Sequence, residues 1–195
     1  MITERDREII NYIYKIGFGT IEQISSMFFT NKKSGYDLAR RRLKAIKNQS
    51  DYLRTIQNTE TNQLVYIPKE STLKRVTLHS LKLIDYLCEL KKLGCDIETI
   101  DLEYDFGGAI PDAFIIFKFN GYRYYQLIEM QLRHDVVDID RYGRVINKIL
   151  ERTNGVTPTI VIIQNTNKQY PETNIAGMDI RQMKLDMNDI AKVLI

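Results

Sequence analysis

A chain of 195 residues is long enough for one large domain or two small ones, and a content of 44% hydrophobic and 27% charged residues is that of a folded globular protein. No run of about eighteen apolar residues occurs and the first ten residues are charged and patterned, so the reading expects a cytoplasmic protein with no membrane span and no secretory signal. The two cysteines, Cys88 and Cys95, are too few for a disulfide framework or a zinc site. The net charge of +3 is unevenly placed: residues 1–68 hold eleven Lys/Arg against seven Asp/Glu, and the rest holds seventeen against eighteen. A basic front and a near-neutral back imply two modules, the first with an anionic partner.

Thr3-x-x-Asp6 opens a first helix as a capping box, with Asp standing in for Glu, and Ile9, Ile10, Ile13 and Ile16 form its apolar stripe until Gly17 and Gly19 stop it. Thr20-Ile21-Glu22-Gln23 is a second capping box, followed by a helix that buries Ile21, Ile24, Met27 and Phe28. After a turn at Lys32-Lys33-Ser34-Gly35, the third helix reads YDLARRRLKAIKNQ, with Tyr36, Ala39, Leu43 and Ile46 facing inward. Two alternating segments around Asn58–Asn62 read as a hairpin. Three short helices and a hairpin resemble a winged helix-turn-helix, in which a basic third helix enters the major groove and the wing reaches phosphates. The residues expected to touch DNA are Arg40, Arg41, Lys44 and Lys47, with Arg54 on the wing. A solvated basic helix face is the plainer explanation of the same charge run.

Pro68 marks the expected boundary, giving a DNA-binding module over residues 1–70 and a second module over 71–195. The second begins with a helix from about Thr77 to Leu93, ended by Gly94, and His79 near its start has no ligand partner at helical spacing. A strand over 95–105 follows, with Ile97, Ile100, Leu102 and Tyr104 as its apolar positions. Further on, a helix of roughly 136–152 carries Ile139, Tyr142, Ile146 and Ile149 on one face. Arg141, Arg144, Lys148 and Arg152 on another face form a second basic stripe, and the first three are further candidates for DNA contact. The continuously apolar Thr159–Gln164 reads as a strand buried on both faces, residues 179–185 as an edge strand, and Asp186 as the cap of a last short helix.

Between these lies the stretch IPDAFIIFKFNGYRYYQLIEMQL, residues 110–132. Asn120-Gly121 between alternating apolar runs is a two-residue hairpin turn, because both residues must accept positive φ. That turn sets the register: Phe119 faces Tyr122, and Asp112 faces Glu129. Two acids opposed across strands repel, so the pairing needs a reason, and Gln131 stands two residues beyond Glu129 on the same side.

Pro111-Asp112, a strand, and Glu129-Met130-Gln131 on the next strand resemble the PD-(D/E)xK nuclease motif. The element order over about residues 77–165 resembles the α-β-β-β-α-β core of restriction-endonuclease-like folds. The fold class expected is therefore α+β: an N-terminal winged helix-turn-helix followed by a restriction-endonuclease-like core with a mixed sheet. The resemblance implies that Asp112 and Glu129 bind Mg²⁺ or Mn²⁺ and that Gln131 takes the place of the family's lysine. Gln131 orients a water by hydrogen bonding but brings no positive charge. Arg133, His134 and Arg141 are the residues that could compensate, and Asp101 or Asp105 is a further metal ligand. The structural alternative pairs Glu129 with Arg141 or Arg133.

With the winged helix over Thr3–Pro68, the segments IPDAFIIF, YYQLIEMQ and DRYGRVINKIL are similar to the replication-relaxation proteins of plasmids, phages and integrative elements, whose pieces match Pro111-Asp112, Glu129 and Tyr142 here. That resemblance implies a protein binding double-stranded DNA as an accessory of replication, relaxation or transfer, or as a transcriptional regulator, with replication or transfer proteins as partners. A homodimer is an expectation from the winged helix alone, since many such regulators read two half-sites as dimers, and no residue marks its surface. DNA binding alone needs no cofactor. Two functions stay open: a DNA-binding protein with a degenerate nuclease-like core, and a metal-dependent endonuclease or nickase using Asp112, Glu129 and Gln131.

Overall fold

The computed structural model describes residues 2–30, 32–133, 136–165, 169–170 and 175–194. The chain is mixed α and β and divides into two compact units, Met1–Lys92 and Leu93–Ile195.

The first unit is built from α1 (Glu4–Ile16), β1 (Gly19–Thr20), α2 (Ile21–Phe28), α3 (Gly35–Gln49), β2 (Leu53–Gln57), β3 (Leu64–Pro68) and α4 (Leu78–Lys92). Both capping boxes form as their sequences require. Thr3 and Thr20 accept from the backbone N–H three residues on, and the Asp6 and Gln23 side chains bond back to the capping residues. Each such cap contributes about 1 kcal/mol. Ile9, Ile13, Ile24, Ala39, Leu43 and Ile46 are fully buried in one cluster. Tyr36, expected on this inner face, is instead 47% exposed. It lies in the first turn of α3, before the helix reaches the core.

The hairpin β2–β3 forms in antiparallel register from Leu53↔Pro68 to Gln57↔Leu64, and β1 adds to its other side to give the sheet order β1-β3-β2. The hairpin loop is not free. The buried Asn58 accepts from the Glu60 and Thr61 amides and donates to Val76 O. This ties residues 69–77 to the hairpin. The following helix, α4, joins the same unit because Gln23 Nε2 donates to Leu81 O (3.1 Å) and to Asp85 Oδ1 (3.0 Å). The boundary expected near residue 70 thus moves to Lys92/Leu93.

The second unit contains β4 (Asp96–Leu102), β5 (Ala113–Phe119), β6 (Tyr122–Gln131), α5 (Asp140–Arg144), α6 (Ile146–Arg152), β7 (Thr159–Gln164), β8 (Ile180–Lys184) and a terminal 3-10 turn, Ile190–Leu194. Its sheet runs β4-β5-β6-β7-β8, antiparallel across the first three strands and parallel from β6 to β8. A bulge between Ile97 and Thr99 explains why the apolar spacing along β4 is three residues and then two. Ile97 pairs with Phe117 and Ile100 with Ile115, so the extra residue keeps both isoleucines on one face. The displaced Glu98 bonds Lys118 (2.7 Å) and Arg123 (2.8 Å).

The turn forms with positive φ at Asn120 and Gly121, and Phe119 pairs with Tyr122 and Ala113 with Ile128. The single helix expected over 136–152 is two short ones, α5 and α6, broken at Val145 (φ −116, ψ 15). Gly143, a poor helix former, precedes two β-branched residues there. On one face of the sheet, Phe114, Leu127, Ile160, Ile162 and Ile180 pack with Tyr142 of α5 and Ile149 of α6. On the other face, Gln126 Nε2 donates to Val193 O and the Tyr124 hydroxyl to Leu194 O, holding the terminal turn.

Candidate functional site

Helix α3 presents the first candidate surface. Arg40, Arg41, Lys44 and Lys47 are all exposed, while Ala39, Leu43 and Ile46 of the same helix are buried. Arg40, Lys44 and Lys47 recur at four and three residues, so they share one face with the exposed Tyr36. Arg41 bonds only weakly within its helix, to Asp37 O at 3.4 Å, and Lys47 Nζ donates to Thr55 Oγ1 on β2.

Arg42, between these residues, does something different. Its Nε donates to Asp6 Oδ1 (2.7 Å), and its Nη2 bonds Asp6 Oδ2 and Thr3 Oγ1, so it closes the α1 capping box from 36 residues away. Burial pushes the Asp6 carboxyl up, but Arg42 and the two Thr3 bonds outweigh it and hold it below its ordinary range. Arg54 is similarly occupied: its Nη2 donates to Ser71 O (2.7 Å) and Leu73 O (3.0 Å), which fastens the segment after β3.

The second candidate lies at the base of the β5–β6 hairpin. The register of the strands puts Asp112, just before β5, opposite Glu129. Asp112 Oδ2 accepts from the Met130 N–H at 2.6 Å. Glu129 is only 4% exposed, and its Oε1 accepts from both Arg141 Nη2 and the Tyr142 hydroxyl. The same Arg141 Nη2 reaches Ile110 O (3.1 Å), and the guanidinium lies 5.1 Å from the Tyr142 ring centroid. Burial raises the Glu129 pKa despite the two donors, and the nearby Asp112 charge adds to the rise. Burial alone would lower the Arg141 pKa, but the Tyr142 hydroxyl and the Glu129 charge keep it raised. Tyr142 is raised, by burial first and by Glu129 second.

The pieces named from sequence are only partly brought together. Asp112, Glu129, Arg141 and Tyr142 converge. Gln131 follows Glu129 at the partly exposed end of β6, and Arg133 is exposed. His134 lies outside the described residues. Asp101 instead pairs with Arg152 (2.9 Å), and Asp105 Oδ1 accepts from the Gly107 and Gly108 amides of its own turn. His79 sits, partly exposed, in the first turn of α4, in the other unit.

The basic stripe expected on residues 141–152 is dispersed by the break at Val145. Arg141 turns inward to Glu129, Arg144 pairs with Asp138 (2.8 Å), Lys148 lies over Gly107 O (3.5 Å), and Arg152 is taken by Asp101.

The donor set fits a divalent cation poorly. Such an ion takes six or more oxygens, whereas Glu129 Oε1 already holds two donors and Asp112 is bonded to the backbone. Among the described residues, no three His, Cys, Asp or Glu side chains converge to hold a metal. Nor is any described helix long and apolar enough to cross a membrane. No family model matches the chain, and no curated protein matches it.

Proposed function

We propose that this protein binds double-stranded DNA through α3, and that its second unit is a nuclease-like core that no longer cleaves. The observation that carries the reading is the α3 face: Arg40, Arg41, Lys44 and Lys47 are exposed together, and Arg42 is the one member of the run committed to structure. The order of three helices and a hairpin, with β1 closing a three-stranded sheet, supports a winged helix-turn-helix. Arg54 and Arg141 are left out of the DNA-contact set because each is engaged within its own unit. Arg144 and Lys148, exposed but scattered, are secondary contacts.

Loss of cleavage is supported by Gln131 in place of a lysine and by a guanidinium beside Glu129. A role in replication, relaxation or transfer on a mobile element, or in transcriptional regulation there, rests on the resemblance to replication-relaxation proteins. It is supported by the meeting of the three matched pieces, Asp112, Glu129 and Tyr142, around one carboxylate pair. The opposed acids also favour a second reading, a metal-dependent endonuclease or nickase, which requires Arg141 to leave Glu129.

The test is fluorescence anisotropy on a short duplex across a salt series. Four phosphate contacts give a slope of log K against log salt of about −3.6, and Arg40→Ala/Arg41→Ala/Lys44→Ala flattens it by about 2.7. Unchanged affinity and slope in the triple variant would refute the α3 assignment. Nicked or cut DNA in the presence of Mn²⁺ that is abolished by Glu129→Gln would replace the first reading with the second.

A further inference from the structure

The end of α2, the start of α3 and the end of α4 border an open cavity of about 290 Å³, all within the first unit. Three lysines line it, Lys32, Lys33 and Lys92, and no acidic side chain does. We propose that this cavity seats one backbone phosphate of the bound duplex and so fixes the first turn of α3 against the DNA. The inference rests on the reading that the first unit binds DNA. It adds to the α3 face a contact made from the α2–α3 turn and from α4.

The turn that shapes the cavity is compact. The Phe29 N–H donates to Ser25 O (2.9 Å), the Lys32 N–H to Phe29 O (3.0 Å) and the Gly35 N–H to Lys32 O (2.9 Å). Gly35 lets α3 start against the end of α2, because a Cβ there would lie 2.8 Å from Phe29 O. The backbone polar groups of the turn are thus spent on one another, and the Lys32 and Lys33 side chains stand exposed at the cavity wall. Lys92 comes from a different part of the chain. Leu81, Asp85, Cys88 and Lys92 recur at four, three and four residues and so share one face of α4. The first three meet Gln23 of α2: Gln23 Nε2 donates to Leu81 O and Asp85 Oδ1, and Cys88 Sγ donates to Gln23 O (3.7 Å). The same face therefore delivers Lys92 to the far end of α2, where Ser26 and Phe29 also line the cavity.

Three ammonium groups around one concavity repel one another, and a concave site of one sign concentrates the opposite charge. Lys92 is partly relieved by Glu89, with Nζ and Oε1 at 2.6 Å. That pair lies on the solvent-exposed surface of a helix, where such pairs are weak, so the ammonium remains available to a stronger acceptor. The identity of the anion follows from where the cavity lies. Tyr36 lines it and shares the exposed face of α3 with Arg40 and Lys44. A duplex lying on that face brings its sugar-phosphate backbone over the cavity. A phosphate seated there carries no base information, but it sets the position of the reading helix.

The experiment uses the full chain and the same short duplex. One seated phosphate beyond the four α3 contacts steepens the salt slope by about 0.9, to about −4.5, and Lys32→Ala/Lys33→Ala/Lys92→Ala is expected to return it to about −3.6. In parallel, the wild-type amines are acetylated with an N-hydroxysuccinimide ester and each lysine is followed by mass spectrometry. With duplex at about ten times Kd, modification of Lys32, Lys33 and Lys92 is expected to slow about tenfold, because only free protein reacts. Inorganic phosphate at the same phosphate concentration is expected to give no such protection. An unchanged slope in the triple variant overturns the proposal, as does full reactivity of the three amines in the complex. Protection by inorganic phosphate without protection by the duplex overturns it too, and assigns the cavity to a free phosphate. The two readings fail separately. If Arg40→Ala/Arg41→Ala/Lys44→Ala keeps the full slope while the cavity variant loses about 0.9, the α3 assignment falls and the cavity stands. If the α3 variant flattens the slope and the cavity variant does not, the cavity alone is overturned.

Discussion

Arg41 and Arg42 are neighbours with the same chemistry, yet the structure gives them opposite tasks, and replacing each by alanine separates them. Asp6 is fully buried at the third position of α1, with its carboxylate held by the Thr3 amide (2.7 Å), the Thr3 hydroxyl (2.8 Å) and the Arg42 guanidinium. Arg42→Ala removes the cation and leaves the buried carboxylate with the capping-box bonds alone. Breaking a fully buried ion pair from one side costs about 3–5 kcal/mol. Because the Arg42 side chain keeps 31% of its surface exposed, water screens part of the pair, and the expected loss is about 2–3 kcal/mol. Arg41→Ala removes an exposed side chain with one long bond at 3.4 Å, and its expected effect is within about 0.5 kcal/mol. Urea unfolding followed by circular dichroism at neutral pH measures both. The DNA titrations should reverse the ranking: Arg41→Ala weakens binding, whereas folded Arg42→Ala keeps it. Equal stability of the two variants, or an Arg41→Ala loss as large as that of Arg42→Ala, would refute the division of labour within the arginine run.

Two further outcomes follow from the same unit. A methyl group at Gly35 would lie 2.8 Å from Phe29 O and 3.0 Å from Ser25 Oγ. Backbone oxygen cannot swing away, so Gly35→Ala is expected to destabilise by about 1–2 kcal/mol in the same urea assay, despite alanine's better helix propensity. The pH dependence of stability tests Asp6. Its folded pKa lies below its ordinary value of 3.8, so its contribution is present above that value and is lost as the pH falls through the folded pKa. Wild-type stability should therefore fall more steeply below pH ~4 than that of Asp6→Asn, and parallel curves would count against the buried pair.

Much of the architecture could be read locally, because its causes are local. The capping boxes at Thr3 and Thr20 need only residues three apart, and both form. Asn120-Gly121 accepts the positive φ values that a tight hairpin demands, and the register that opposes Asp112 to Glu129 follows by counting. Thr159–Gln164, apolar without alternation, becomes a strand in the interior of the sheet with its residues from Ile160 onward buried. The structural pairing of Glu129 with Arg141 was one of two alternatives visible in the sequence, and Arg133 was the other.

Other features depended on contacts that no local pattern encodes. The run Arg40-Arg41-Arg42 is uniform in sequence. Only the packing of α3 against α1 directs Arg42 to Asp6 and leaves its neighbours in solvent. The two-residue strand β1 is too short to carry an alternation and exists because β3 offers it an edge. Helix α4 belongs with the first unit because Gln23, spent on its own capping box, has an amide nitrogen left to donate across to Leu81 and Asp85. A helical stripe from Arg141 to Arg152 was expected from spacing alone. Gly143 and the turn at Val145 break it, and each cation then meets the nearest oxygen acceptor. The sequence by itself thus determined most of the elements, the caps and the hairpin register, since these follow from propensity and from interactions within a few residues. The tertiary structure alone decided which charges face solvent and which neutralise a buried carboxylate, because desolvation acts on groups brought together from distant parts of the chain.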